Sequence, residues 1–310
     1  MRLGITAVLI AVTLCSLLVT GEPPVSAGQP VTTVAPVTGP PVKVAATIFP
    51  ITSIVRTIGG ERVEVTNIVP SGADPHHFEI TPTLARSIHE ADLVFLIGGP
   101  FDQWVLAGHP SQAKWPLLIE LHKIFADSLI PLEQTFNPHF WLDPLLAKSM
   151  GMVISMALCT VDLANCNYYQ ARTEVFCSGL DSLHAAARES LASSGFKDFV
   201  SFHPAWTYFA RRFGLNEIAV IELGHEQEPS PKRIARIIEE MKQGQVDFII
   251  VEEFSNPVLA EAVAAETGAE IIVLDPLGSD YEPGRDSYFG LIDYNTAQIV
   301  KNATGRRVRH

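Results

Sequence analysis

The stretch NCNYYQARTEVFCSGLDSLHAAARESLASS, residues 165–194, sets the architecture. It contains no Pro and one Gly, and its apolar residues Tyr169, Phe176, Leu180, Leu183, Ala187 and Leu191 recur at spacings of three, four and seven, which puts them on one face of a helix. At 1.5 Å per residue that helix is about 45 Å long, the length of a small domain. It is expected as a rod joining two halves, and a rod resists wide hinge closure.

On both sides of the rod, short β-branched runs alternate with amphipathic stretches, the pattern of a parallel sheet flanked by helices. Strands are predicted from Val42 to Phe49, Val63 to Val69, Leu93 to Ile97 and Leu117 to Glu120 before it, and from Phe199 to Phe202, Ile218 to Ile221, Phe248 to Val251 and Ile271 to Leu274 after it. Several are apolar without alternation, as strands covered on both faces are. Thr81-Pro82, Asp143-Pro144, Ser230-Pro231 and Asn256-Pro257 each set a capping side chain before a Pro at the first helical position, where the missing N–H costs nothing. Ile234, Ile237, Ile238 and Met241 then share a helix face, with Gly244 as the expected stop. The expected fold is α/β: two (β/α)4-like lobes with mainly parallel sheets, residues 42–164 and 195–303, each burying its own core and joined by the helix at 165–194.

The chain has 310 residues, 47% of them apolar and 18% charged, which describes a globular protein. Its 34 acidic against 22 basic residues leave a net charge of −12, so no surface is basic enough to neutralise a run of phosphates and nucleic acid is excluded as a partner. Arg2, the apolar run from Leu3 to Val19, and Val25-Ser26-Ala27 before Gly28 have the layout of a signal peptide over residues 1–27, cleaved after Ala27 or, since the run is long enough, kept as an anchor. Leu14 before Cys15 argues against lipidation there. Six Pro between residues 22 and 41 make 28–41 a tether, and residues 304–310 read as a solvated basic tail.

Three cysteines follow the leader: Cys159, Cys166 and Cys177. An exported chain permits one disulfide among them. Cys166 and Cys177, on one helix, would stand about 16 Å apart along its axis, out of reach. Cys159 with Cys166, across the turn before the rod, is the preferred pair; three small buried hydrophobes are the alternative.

Of ten histidines, the informative ones sit where strands end. Asp74-Pro75-His76-His77 follows the second predicted strand, and Ser201-Phe202-His203-Pro204 ends the first strand of the second half. Ligands collect at the carboxyl ends of strands in open α/β sheets, so His76 and His203 point to a site between the halves. Asn137-Pro138-His139 precedes Phe140-Trp141-Leu142-Asp143, and Leu274-Asp275-Pro276 ends the last strand. Three imidazoles and one carboxylate form a four-coordinate set suited to zinc, although no HExxH or CxxC spacing marks it. Imidazoles ligate only when neutral, so affinity is expected to fall below about pH 6.5.

The ordered set ADPHHFEITP (73–82), NPHFWLDP (137–144), SFHPAWTYFARRFGL (201–215), EPSPKRIARII (228–238) and VLDPLG (273–278) resembles the zinc/manganese ABC-transporter solute-binding proteins of the ZnuA/TroA type, from about Val42 to Ala303. The resemblance implies His76, His139, His203 and Asp275 as metal ligands, a monomer that captures a divalent ion in the periplasm or extracytoplasmic envelope, and delivery to a membrane permease by small lobe tilts. His203 stands where manganese members often carry Glu, which favours Zn²⁺ as the transported ligand; Mn²⁺ is the alternative. The chain departs from the family in three places. Between Gly98 and Phe136 it has only His109 and His122 rather than a His-rich loop, Ile80 replaces a Pro, and Asn137 replaces an Asp.

The alternative from another class is a secreted zinc hydrolase using His76, His139 and His203 with Glu252 or Asp275 as base. A surface adhesin with structural metal is a third reading. Among neighbours, His77 is expected to point away from His76 and Asp143 to cap a helix. Glu252 and Glu253 are read as structural or as orienting an imidazole, and His89, His184 and His225 as exposed.

Overall fold

The computed structural model describes residues 39–107, 116–132, 135–223, 229–253, 255 and 257–309. The leader, the tether up to residue 38, His109 and His225 lie outside the described residues.

Two parallel four-stranded sheets carry the fold. The first consists of β1 (Val42–Ala46), β2 (Val63–Asn67), β3 (Leu93–Leu96) and β4 (Leu117–Glu120), in the order β2-β1-β3-β4. An antiparallel hairpin pair of two-residue strands, β5 (Pro131–Leu132) with β6 (Thr135–Phe136), follows it. The second sheet consists of β7 (Asp198–Ser201), β8 (Asn216–Val220), β9 (Phe248–Glu252) and β10 (Glu270–Leu274), in the order β8-β7-β9-β10. The two orders are the same, so each sheet reverses its direction of winding beside its first strand, where a crevice opens at the carboxyl ends.

Helices α1 (Phe49–Gly59), α2 (Pro82–His89), α3 (Pro144–Val161), α4 (Cys166–Ser194), α5 (Thr207–Phe213), α6 (Pro231–Gly244), α7 (Val258–Thr267) and α8 (Tyr288–Arg309) cover the sheets. The rod is α4, whose 29 residues span about 44 Å at 1.5 Å each. Cys159 at the end of α3 and Cys166 at the start of α4 form the disulfide, Cα to Cα 4.6 Å, and Cys177 is a buried free thiol.

Burial follows the pleat. Val44 and Ala46 of β1 and Phe95 of β3 face inward, while Ala45, Val94 and Leu96 pack under the outer layer with Ile68, Ile88 and Val105. The inner cluster does not stop at the lobe. It runs from Ile54 and Phe140 through Tyr169, Phe176 and Leu180 of α4 to Phe199 and Phe248 of the second sheet. Each lobe also buries a cluster of its own, the second around Val200, Ile237, Met241 and Ile249, so the shared cluster on the apolar stripe of α4 is an addition to the two expected cores.

Several boundaries move for local reasons. The first strand stops at Ala46, not Phe49, because Pro50 in the first turn of α1 commits the chain to helix. The strand after α5 begins at Asn216 and ends at Val220. Thr81, Asp143 and Ser230 cap α2, α3 and α6 by accepting from Leu84, Leu145 and Arg233 N–H groups. For α7, Pro257 is itself the cap, and Asn256 lies outside the described residues. Gly244 is the last residue of α6, and the left-handed cap falls to Gln245 at φ 52°. The basic tail is helix as far as Arg309: Arg306 pairs with Asp247 at 2.7 Å and Glu270 at 3.4 Å and lies 5.9 Å from the Phe248 ring centroid, which ties the end of α8 to the second sheet.

Candidate metal centre

His76 stands in the loop after β2. Asp74 shapes that loop by accepting the His76 N–H on Oδ1 at 2.9 Å, and its Oδ2 meets His77 Nδ1 at 2.7 Å. His77 is thereby turned to the surface, and His76 packs edge-on against Phe101, ring centroids 4.8 Å apart. Phe101 depends on the turn Gly98-Gly99, where φ is 93° and 63° and a Cβ would stand 1.9 Å from His122 Nδ1 and 2.7 Å from Phe136. Buried Asp102 closes the turn by accepting from Thr47 Oγ1, Ile97 N and Gly98 N at 2.6–2.8 Å; burial pushes its carboxyl up to about 6.

His139 follows the hairpin. Asn137 Oδ1 accepts from its N–H at 3.0 Å and lies 2.8 Å from its Nδ1, which places the proton on Nδ1 and turns the Nε2 lone pair toward the other two imidazoles. His203 follows β7 and ushers in a short 3₁₀ turn, Pro204–Trp206.

The three imidazoles converge. His139 Nε2 is 3.4 Å from His76 Nε2 and 3.3 Å from His203 Nε2, and one ring nitrogen from each of the three residues falls within a 4.8 Å group. In a tetrahedral zinc site with Zn–N of about 2.05 Å, neighbouring ligand atoms are about 3.3–3.4 Å apart. The two spacings made by His139 match edges of that tetrahedron, and the third pair, His76 with His203, lies within 4.8 Å. His139 and His203 are buried and His76 is partly exposed; all three line a cavity of about 200 Å³ closed by Phe101, Leu132, Phe136, Pro138 and Leu223.

Asp275 stands outside this three-histidine group, with its carboxylate engaged by other partners. Its Oδ1 accepts from Leu277 N and Gly278 N, each at 2.9 Å, and its Oδ2 is 3.0 Å from Arg285 Nη1. The carboxylate caps its own turn and serves as one counter-ion of Arg285, which also holds Glu253 at 2.5 Å and Glu282 at 3.0 Å.

The other acids have structural partners. Glu252, fully buried and pushed up to about 7 by that burial, accepts from Trp206 Nε1 and Ser255 Oγ at 2.9 Å. It is not poised as the base of a hydrolase. Asp143 caps α3 and takes a bidentate pair from Arg212 at 2.7 and 2.8 Å. His184, expected at the surface, is partly buried beside Phe213, and burial lowers its pKa; His89 is exposed. Reasoning from sequence missed Asp102, Arg285 and the role of Asn137. GGPFD after a strand was the signal for Asp102, but the partners of Arg285 are distant in the chain.

Residues 44–302 match the family described as zinc-uptake complex component A, periplasmic. The chain is 25% identical over 269 residues to the high-affinity zinc uptake system protein ZnuA of Bacillus subtilis, covering 82% of this chain and 84% of that protein. It is 26% identical over 277 residues to the manganese ABC transporter substrate-binding lipoprotein PsaA of Streptococcus anginosus, covering 85% and 89%. A crystal structure of ZnuA superposes with a TM-score of 0.72 at 28% identity, covering 86% of this chain and 98% of that one. These likenesses replace the hydrolase alternative. The chain belongs to the zinc-uptake component A family, whose members are metal-binding components of ABC uptake transporters and not enzymes.

Proposed function

We propose that this protein captures Zn²⁺ outside the cytoplasmic membrane on His76, His139 and His203 and delivers it to an ABC permease. The convergence of three ring nitrogens carries the reading, because the two spacings made by His139 suit a small tetrahedral ion at about 2.05 Å. Three imidazoles also favour zinc over manganese, which is better served by oxygen ligands. Asp275 becomes the fourth ligand once its carboxylate leaves Arg285, a guanidinium that keeps Glu253 and Glu282 as partners. Four protein ligands close the shell, as in sites that hold metal without using it for chemistry. The leader and Pro-rich tether suit an exported monomer. Release follows when the permease favours a form in which the lobes tilt apart.

Competition between Zn²⁺ and Mn²⁺ for the metal-stripped protein tests this reading. One tight zinc equivalent is expected, and His203→Ala should weaken it greatly. Manganese preference, or zinc binding indifferent to His203, refutes it.

A further inference from the structure

We infer that Asn137 is a positioning residue that locks the His139 and His203 loops together across the interlobe cleft and so governs how slowly metal is released. The inference rests on the metal-capture reading above. Asn137 is 1% exposed, and both ends of its amide are engaged. Oδ1 accepts from the His139 backbone at 3.0 Å and holds His139 Nδ1 at 2.8 Å. Nδ2 donates to Pro204 O at 2.6 Å and to Thr207 Oγ1 at 3.3 Å. Pro204 directly follows His203, so one side chain spans from one imidazole to the backbone of the next.

The second lobe holds its end of the clamp firmly. The Thr207 hydroxyl donates to Glu217 Oε2 at 2.6 Å, which leaves it an acceptor toward Asn137, and Ser201 Oγ anchors Glu217 Oε1. Tyr208 OH donates to Asn137 O at 2.9 Å and accepts from Ile130 N at 2.8 Å, fixing the hairpin that leads into Asn137. An amide serves here because it accepts on one side and donates on the other. A carboxylate of the same shape would set an acceptor 2.6 Å from the Pro204 carbonyl, with no proton between them. A tilt that draws Pro204 away must also pull on Asn137 and turn His139, loosening two ligands in one movement.

The experiment is stopped-flow transfer of Zn²⁺ from the full chain to an excess chelator, for the wild type, Asn137→Asp, Thr207→Val, Thr207→Ser and His139→Ala, with the visible spectrum of the Co²⁺-loaded proteins as a readout of ligand geometry. Release from Asn137→Asp is expected to be 10–100-fold faster, the range for residues that support a metal ligand. Thr207→Val should release several-fold faster, and Thr207→Ser, which keeps the hydroxyl, should restore the wild-type rate. The Co²⁺ bands should shift in Asn137→Asp and Thr207→Val but not in Thr207→Ser. If Asn137→Asp does not fold, the Thr207 pair carries the test alone. Release within twofold of wild type in Asn137→Asp and Thr207→Val, with His139→Ala still losing its metal, overturns the clamp and leaves metal capture standing. Unchanged binding in His139→Ala overturns the capture reading itself.

Discussion

His139 and His76 reach the same point by opposite means. His139 is buried, its proton is placed by Asn137, and the residues around it are bonded to the second lobe through Pro204, Thr207 and Tyr208. His76 is partly exposed and stands on a loop shaped by the local Asp74 turn, with Phe101 against its ring. The contrast teaches that a site can pair a fixed floor with a more accessible side. On the proposed capture reading, metal enters and leaves through the cavity that all three imidazoles line, with His76 the more exposed ligand and His139 the more firmly held one.

The sharpest way to break this comparison is to remove each imidazole in turn. His139→Ala should cost zinc affinity well beyond the 10–100-fold typical of a supporting residue. His76→Ala should cost less, because water can take the vacated position from the open side. Calorimetry or chelator competition reads both, and equal losses would erase the distinction between floor and open side.

A second contrast concerns buried acids beside corresponding strands. Asp102, after β3, and Glu252, at the end of β9, have their carboxyls raised to about 6 and about 7 from ordinary values of 3.8 and 4.5, in each case chiefly by burial. A carboxyl with a raised native pKa binds more protons folded than unfolded, so its contribution to stability declines as pH rises through that interval. For Glu252 the window is about pH 4.5 to 7, and its shift corresponds to at most about 3 kcal/mol. Glu252→Gln should therefore flatten the decline and stabilise the metal-free protein at pH 8. Asp102→Asn should destabilise it, since two backbone N–H groups need the carboxylate oxygens. Urea titrations across pH 4.5–8 separate the two, and matching behaviour would contradict the assigned partners. Zinc binding strengthens in the same direction of pH as the apo protein weakens, so the zinc-induced rise in Tm should grow from pH 5 to pH 8.

The smallest expected effect falls far from the site. Opening the Cys159–Cys166 bridge by double substitution to Ser releases a loop of sequence separation 7, worth about 2 kcal/mol in chain entropy. Tm should fall while the zinc affinity of the folded protein stays unchanged. A parallel loss of affinity would mean that the α3–α4 junction transmits to the imidazoles.

Much of the scaffold was legible because it rests on local rules. Apolar spacing within 165–194 announces α4, uninterrupted apolar runs announce strands buried on both faces, and Thr81, Asp143 and Ser230 before Pro announce helix starts. The hairpin at 131–136 escaped because each strand is two residues long, too short for a period to register. The shared core escaped because periodicity locates an apolar face without saying how many partners cover it.

The candidate site divides in the same way. His76 and His203 stand out in the sequence because strand ends mark them and His139 because of its Pro-flanked motif; the first two come from the carboxyl ends of sheets of identical strand order, and His139 joins them from the loop after β6. Asp275 was equally visible, yet its present partners, Arg285, Leu277 and Gly278, were not, and they determine that it stands outside the cluster. Asn137 read as a mere replacement until Pro204 and Thr207, 67 and 70 residues away, were seen at its amide. Residue type and local spacing suffice for helices, strands and metal-ligating chemistry, since those depend on neighbours in the chain. Which carboxylate is committed and which imidazole is held depend on hydrogen bonds between distant segments, and those exist only once the two lobes have packed on α4.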